Sequence, residues 1–176
     1  RISPCCIEKW NVSGVCKNVR VYGEEPKDMV VNCEDGTWTS ISKADDGYVF
    51  NFLKGGVAGF SCDLRALPQE FKEKIKKFTE TYKQEREFYR MAVAKILCDT
   101  PEITVIEYFD AEKSRIVIHV FTKIVRQTSL TVYPFTADGS YIFEGKVYSA
   151  KQLKESGIAV RIGTNCGREI ILTAVD

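Results

Sequence analysis

Histidine is nearly absent from this chain, which has one such residue, His119, and no two of its seven cysteines are spaced as CxxC. Structural zinc sites use four Cys or His ligands, commonly with closely spaced pairs. We therefore expect no metal site and no cofactor. Because seven is an odd number, at least one thiol is unpaired within the chain, and scattered free thiols most often pack as small apolar groups.

The chain also lacks an excess of charge of either sign. Lysine and arginine together number 25 and aspartate and glutamate 24, which gives a formal net charge of +1. This balance predicts neither a nucleic acid nor an anionic membrane as a partner, whereas neutral ligands such as sugars are compatible with it.

Long apolar runs are missing as well. No stretch approaches the roughly 20 residues that span a bilayer, and the first residues, RISPCCIEKW, lack the basic-then-apolar pattern of a secretory signal. We expect a soluble chain, either cytoplasmic or secreted, and because it starts at Arg1 we read it as a processed product or a fragment. Its 176 residues can bury a core, but a complete eight-fold barrel needs roughly 250.

The first third of the chain alternates β-type runs with turn residues. Between residues 18 and 53 the runs are NVRVYG, MVVNC, TWTSIS and YVFNFL, and the pairs that separate them include Asp35-Gly36 and Asp46-Gly47. Asp-Gly pairs favour tight turns because glycine adopts positive φ without strain. This region is predicted to be a small antiparallel β-meander.

A long amphipathic helix is predicted next. It follows a cluster of small residues over 55–60 and opens at Pro68, since proline is favoured in the first helical turn. Pro101 is expected to end it about eight turns later. One apolar stripe, interrupted at Glu85, recurs in steps of three and four: Phe71, Ile75, Phe78, Tyr82, Tyr89, Val93 and Ile96.

The remainder is rich in β-branched and aromatic residues. The runs ITVIEYF, RIVIHVFTKIV, SLTVYPF, YIFEG with KVYS, and REIILTAV predict an antiparallel sandwich over residues 103–176. The run from Arg115 to Phe121 is apolar on both faces, so we expect it in the centre of a sheet. The predicted fold class is α+β, mainly β: a long amphipathic helix packed on a C-terminal antiparallel β-sandwich, preceded by the small meander.

Four segments follow one another between residues 55 and 161: GVAGFSCDL, LPQEFKEKIKKFTETYKQEREFYR with its Tyr-Lys-x-x-Arg pattern, DAEKSRIVIHVF, and YIFEGKVYSAKQLKESGI. Together they resemble the C-terminal portion of the melibiase-type α-galactosidases, glycoside hydrolase family 36. The resemblance implies a last barrel-like strand and helix over 55–98 and a C-terminal antiparallel sandwich over 99–176. Residues 1–54 are a β-rich segment without an assignment.

The resemblance implies a retaining mechanism in the parent enzyme. One carboxylate, in a Lys-Trp-Asp motif, attacks the sugar, and a second about 5 Å away serves as acid and base. Here the nearest string is Lys9-Trp10-Asn11, whose amide cannot form the glycosyl ester, and it lies too close to the Gly-rich segment to be the same barrel position. No catalytic residue is carried over, and the chain alone is expected to be inactive.

Four residues are candidates for substrate binding. Asp63, beside the Gly-rich segment, could face the mouth of a barrel, although helix capping or a bond to backbone amides is the commoner role for such a residue. Trp10, Trp38 and Tyr48 could offer flat apolar faces to a pyranose ring, although buried aromatic residues are commoner. His119, on the central strand, is interpreted as a packed residue and not as a base.

Three functions are consistent with the sequence. The first is the C-terminal part of an α-galactosidase-like retaining glycoside hydrolase, which contacts and supports a catalytic barrel absent from this chain. It would meet an α-galactoside or other carbohydrate only through the parent enzyme. The second is a stand-alone, non-catalytic carbohydrate-binding or interaction module derived from such an enzyme. The third is an independent enzyme that uses residues without a recognisable motif.

Overall fold

The computed structural model describes residues 30–31, 46–54, 57–58, 65, 67–123 and 125–175. None of the helices in these ranges is long and apolar enough to cross a membrane. The elements are, in chain order, β1 (Val30–Val31), α1 (Asp46–Lys54), β2 (Val57–Ala58), α2 (Gln69–Met91), β3 (Val93–Asp99), β4 (Ile103–Phe109), β5 (Arg115–Thr122), β6 (Ser129–Val132), β7 (Ser140–Phe143), β8 (Lys146–Ser149), α3 (Ala150–Ser156), β9 (Ile158–Arg161) and β10 (Cys166–Val175).

A six-stranded antiparallel sheet forms the centre of the structure. Its strand order is β3-β4-β5-β10-β7-β8, and β6 and β9 form a separate antiparallel pair. β5 lies between β4 and β10 and is buried on both faces, which confirms the central position predicted from its sequence. The predicted mainly β composition with a large antiparallel sheet is also confirmed.

One face of this sheet packs against β6, β9 and α3. The apolar core joins Ile116, Ile118 and Val120 of β5 to Val132 of β6 and Leu153 of α3, and all five side chains are buried. Burying an aliphatic side chain of this size contributes roughly 1.5–3 kcal/mol. The second layer is thus a two-stranded ladder with a helix, so the full sandwich predicted from the sequence is not confirmed.

The other face of the sheet packs against α1 and α2. The ring of Tyr89 on α2 meets the ring of Tyr108 on β4 edge-on, with centroids 5.2 Å apart, and α1 lies against β10. The two helices contact each other through Phe50 and Phe78, whose rings stack at 5.0 Å. Helices α1 and α2 therefore cover one face of the sheet, and β6, β9 and α3 cover the other.

Residues 46–54 correct the predicted meander. The sequence predicts a strand over YVFNFL and a turn at Asp46-Gly47, but all of these residues lie in α1. Phe50, Leu53 and Lys54 recur at helical spacing, and burial of that stripe outweighs the β propensity of the run. β1, within the predicted run MVVNC, pairs with β2 in parallel and not antiparallel. The runs NVRVYG and TWTSIS lie outside the described residues.

α2 is shorter than the sequence predicts. It starts directly after Pro68 and ends at Met91 after 23 residues, and Ala92 takes an extended conformation with ψ at 146°. Val93 and Ile96 fit the helical stripe but belong to β3, because pairing with β4 satisfies their backbone groups within the sheet. Pro101 therefore lies in the turn between β3 and β4 and does not end the helix.

α3 and β9 are not predicted, although the start of α3 has a recognisable sequence signature. The Ser149 hydroxyl accepts the Gln152 amide at 3.1 Å, and the Gln152 side chain accepts the Ser149 amide at 2.9 Å. This reciprocal arrangement is a capping box, which the spacing Ser-x-x-Gln allows. The helix closes at Gly157, whose φ is +65° and whose amide donates to the Leu153 carbonyl.

We expect Gly157→Ala to lower the free energy of unfolding by about 3 kcal/mol. A Cβ at Gly157 would lie 2.6 Å from Thr131 Cγ2 and 2.7 Å from the Val132 carbonyl oxygen, in addition to the strain of positive φ. Gly145→Ala is the matched control, because φ is +73° there but nothing lies within 4 Å of its Cβ position. Its expected loss is roughly 1–2 kcal/mol. Urea denaturation measures both, and equal losses would contradict the close approach of Gly157 to β6.

Candidate functional site

Of the four predicted sugar-binding residues, only Tyr48 lies in a described element. Asp63, Trp10 and Trp38 fall outside the residues that the structure describes. Tyr48 belongs to α1, but its side chain is not among the described ones. A contact of these four residues with sugar therefore stays a prediction.

A different group of polar side chains meets between the helices and the sheet. Lys54 is the last residue of α1. Glu85 and Tyr89 lie four residues apart on α2 and therefore on one face of that helix. His119 and Glu169 stand directly opposite each other on β5 and β10. The buried ionic cluster, as we call this group, consists of Lys54, Glu85, Tyr89, Arg115, His119 and Glu169.

Lys54 connects the two carboxylates of the cluster. Its Nζ lies 2.8 Å from Glu169 Oε1, 3.1 Å from Glu169 Oε2 and 2.8 Å from Glu85 Oε2. The residue is only 7% exposed, so an unpaired ammonium group would be strongly destabilising here. Burial lowers the pKa of Lys54, but hydrogen bonds to Glu169 and Glu85 outweigh burial and raise the pKa above its ordinary value. Lys54 is therefore charged at neutral pH.

Arg115 completes the charge balance. Its guanidinium donates to Glu85 Oε1 at 2.8 Å and lies over the ring of Phe88, 4.5 Å from the centroid. Two cations, Lys54 and Arg115, thus face two carboxylates, Glu85 and Glu169. Such pairing is what allows charged groups to lie in a partly desolvated interface.

His119 is fully buried beside these charges. Its Nε2 lies 2.9 Å from the Tyr89 hydroxyl and 3.2 Å from Glu169 Oε1, whereas Nδ1 has no partner among the described residues. A proton on Nδ1 would be an unsatisfied buried donor, so we assign a neutral ring that donates from Nε2. Burial lowers the pKa of His119 despite the nearby Glu169 carboxylate. The interpretation of His119 as a packed residue is confirmed.

Glu169 and Tyr89 have opposite pKa shifts. Burial raises the pKa of Glu169, but the hydrogen bonds from His119 and Lys54 and the positive charge of Lys54 outweigh burial and lower the pKa to about 2. The Tyr89 hydroxyl donates to Glu169 Oε1 at 3.2 Å. Burial and the negative charge of Glu169 raise the pKa of Tyr89. Near neutral pH the carboxylate is therefore ionised and the phenol protonated.

These pKa values suit a cluster that attaches helices to the sheet and do not suit acid–base catalysis. A general acid works best with a pKa near the working pH, far above that of Glu169. The rings of Tyr108 and Phe121 pack against His119, with centroids 5.2 and 5.8 Å from the imidazole. Within the described part of the chain, no three or more potential ligands are arranged to hold a metal ion. The cluster joins α1 and α2 to the two central strands.

A cleft of about 440 Å³ opens between α1 and α2. The stacked rings of Phe50 and Phe78 line it together with the lysines Lys54, Lys74 and Lys77. No carboxylate is among the described residues that line it. The described lining of the cleft therefore does not include the pair of carboxyl groups that a retaining glycosidase needs.

Part of this cluster has a signal in the sequence. Glu85 is the polar interruption in the apolar stripe of α2, whereas Glu169 stands beside Arg168, ahead of the apolar run of β10. A buried polar position within an apolar pattern indicates a partner elsewhere in the fold. Lys54 has no such signal, because it follows a short apolar run whose helical state is not evident.

No protein-family model and no curated protein matches this sequence. Solved structures do match it. Over 72% of the chain, the fold resembles the galactosidase domain of the α-galactosidase–sucrose kinase AgaSK, with a TM-score of 0.64 and 21% identity over 19% of that chain. It also resembles the GH36 α-galactosidase AgaA from Geobacillus stearothermophilus, with a TM-score of 0.65 and 18% identity over 72% of this chain and 19% of that one. This chain has the fold of a GH36 α-galactosidase segment.

The α-galactosidase from Lactobacillus brevis shows the same likeness, with a TM-score of 0.64 and 13% identity over 72% of this chain and 20% of that one. The chain thus spans only about a fifth of the length of these α-galactosidases. At such identities the likeness is one of fold. The resemblance to GH36 α-galactosidases read from the sequence is confirmed at that level.

We expect Lys54→Met to lower the free energy of unfolding by about 3 kcal/mol, because it leaves two carboxylates without their shared cation. Lys151→Met is the control, since that ammonium group lies 3.9 Å from Glu155 with a side chain 79% exposed. An exposed pair of this kind contributes at most about 1 kcal/mol. Chemical denaturation at neutral pH measures both variants. A Lys54→Met protein as stable as the wild type would contradict the role assigned to the cluster.

Glu169 should also make stability depend on pH. Its pKa is about 2 in the folded protein, against an ordinary value of 4.5. Its contribution to stability is therefore present above about pH 4.5 and is lost as the pH falls towards 2. We expect Glu169→Gln to be less stable than the wild type at neutral pH. As the pH falls through this range, however, its midpoint of urea denaturation should decline less than that of the wild type. The exposed-site control Glu155→Gln should decline like the wild type, and parallel declines for all three proteins would refute the assignment.

Proposed function

We propose that this chain is the C-terminal part of an α-galactosidase-like retaining glycoside hydrolase of the melibiase type. Its role is to support a catalytic barrel formed by polypeptide outside this chain. The observation that carries the proposal is the fold likeness of 72% of the chain to about a fifth of each GH36 α-galactosidase. Variants of AgaA have been solved with raffinose and with stachyose, so α-galactosides are the substrate class that we propose for the parent enzyme.

The short strands β1 and β2 support the assignment of barrel elements. They pair in parallel, with Val30 opposite Val57 and Val31 opposite Ala58. Neighbouring strands of a (β/α)₈ barrel are parallel, and each strand is followed by a helix. β2 lies in the Gly-rich segment that resembles the last barrel strand, and α2 follows it. The resemblance implies a C-terminal domain over 99–176; because β3 pairs within the sheet, we propose that this domain starts at Val93 instead.

The buried ionic cluster supplies the support in this proposal. α1 ends at Lys54, shortly before β2, and α2 carries Glu85 and Tyr89 after it. The elements on both sides of β2 are thus bound to the same two central strands of the sheet. Functional groups need such a rigid second layer to hold their positions. The sheet domain would therefore fix the end of the barrel.

The described residues also favour a supporting role over an independent activity. Glu85 and Glu169 are adjacent carboxylates in the described interior of the fold, but Lys54 and Arg115 neutralise them. Neither lines the cleft between α1 and α2. The acid and the nucleophile of the parent enzyme would accordingly come from the barrel.

The purified 176-residue chain is expected not to hydrolyse a chromogenic α-galactoside. A longer product with an upstream Lys-Trp-Asp sequence should hydrolyse it, because the barrel supplies both carboxyl groups. In that product Lys54→Met should lower the temperature at which activity is lost, and the control Lys151→Met should not. Hydrolysis by the chain alone would overturn the proposal. If the chain alone bound raffinose in a calorimetric titration and the longer product were inactive, the alternative of a stand-alone carbohydrate-binding module would replace it.

A further inference from the structure

Glu107 is a buried carboxyl group that the buried ionic cluster does not include. It lies on β4 opposite Ile118, and so on the apolar face of the sheet that is turned away from α1 and α2. Its side chain is fully buried, and its neighbours on the same face of the strand are Val105 and Phe109. A carboxylate in such surroundings is costly unless something compensates for its lost hydration.

A single hydrogen bond from the backbone reaches this carboxyl group. The amide of Phe135 donates to Glu107 Oε1 at 2.7 Å, and Oε2 has no partner among the described residues. Phe135 belongs to the β6–β7 loop, which we define as residues 133–139. The bond therefore attaches this loop to the sheet at a site where water is excluded.

Charged groups face Glu107 from two further elements. The ammonium groups of Lys95 on β3 and Lys113 in the β4–β5 turn lie 3.8 and 3.7 Å from the centroid of the Phe135 ring. Both lysines favour the ionised form of Glu107. The loop has a second attachment that does not involve the carboxyl group: the Tyr141 hydroxyl accepts the amide of Ala137 at 3.0 Å.

We propose that Glu107 is a pH-dependent latch for the β6–β7 loop, which is closed when the carboxyl group is protonated and opens more readily when it is ionised. In the closed loop the carboxyl group is shielded from water, whereas an open loop allows the carboxylate to be hydrated. Proton uptake and closure are therefore coupled.

The direction of the coupling follows from the pKa of Glu107. Burial raises this pKa by more than the Phe135 amide and the two lysines lower it. The closed state thus binds the proton more tightly than the open state. Protonation therefore favours closure of the loop, and this effect is complete below the ordinary pKa of a glutamate. The effect is lost as the pH rises through the raised value. Opening would uncover apolar side chains beneath the loop, among them Phe109, whose ring centroid lies 6.2 Å from that of Phe135.

Amide hydrogen exchange tests the latch in the full 176-residue chain. After correction for the intrinsic exchange rate, opening at the Phe135 amide should rise as the pH passes from the ordinary pKa of a glutamate to the raised pKa of Glu107, and then level off. The rise should be tenfold for each unit that separates the two pKa values. Glu107→Gln keeps a carbonyl acceptor for the amide but cannot ionise, so its corrected opening should not vary with pH. A wild-type profile without pH dependence, or the same dependence in Glu107→Gln, would overturn the proposal.

Two further variants separate the latch from general loosening of the loop. Tyr141→Phe removes the second attachment, so opening should increase at every pH and the rise with pH should persist. Lys95→Met removes a cation that favours the ionised carboxyl group, so the rise should extend to higher pH. If Tyr141→Phe abolished the rise instead, the phenol and not Glu107 would be the group that controls the loop.

Discussion

Two carboxylates share one lysine in the interior of this protein, and the attachment of α1 and α2 to the sheet depends on that arrangement. Moving Lys54, Glu85 and Glu169 out of water is unfavourable unless each charge finds its partner. Apolar stripes alone tolerate several packing arrangements of similar energy. Opposite charges at 2.8 Å favour the arrangement of α1, α2 and the central strands that brings them together. We infer that the ionic contacts help to set where the helices lie, in addition to any net contribution to stability.

The two faces of the central sheet make different kinds of contact. On one face, side chains of β5, β6, β9 and α3 form an aliphatic core in which Ile116, Ile118 and Leu153 are completely buried. On the other face, β5 and β10 present His119 and Glu169 to the helices. The first face supplies most of the apolar burial on which a stable domain depends. The second supplies directional contacts to the elements that we assign to a barrel.

The sequence predicts this fold best where a pattern has one physical reading. β5 carries apolar residues on both faces between Ile116 and Phe121, and only a central strand explains that pattern. The run YVFNFL is six residues long, and in so short a run apolar residues fit a helix as well as a strand, which is why α1 is missed. The end of α2 is missed for a related reason. Val93 and Ile96 continue the helical stripe, and only the presence of β4 alongside shows that they form a strand.

The residues of the candidate site are likewise predictable only where the local sequence pattern has one physical explanation. Glu85 is visible in the sequence as a polar residue within an apolar stripe, and His119 is correctly interpreted as packed. The partner of Glu169, however, is 115 residues away along the chain, at the end of a helix that the sequence does not reveal. Contacts at such separations follow from topology and not from local pattern. The loop contact of Glu107 with Phe135 is hidden for the same reason.

The position of β10 in the sheet has a consequence for biosynthesis. It is the final described element of the chain, yet it lies in the middle of the sheet, between β5 and β7. On the ribosome, β3, β4 and β5 are made long before β10, and until it emerges β5 is an open edge rich in aliphatic residues. Glu169 also arrives with it, so the ion pair that attaches α1 to the sheet cannot form earlier. A nascent chain of this protein therefore needs protection from association with its neighbours until β10 has emerged.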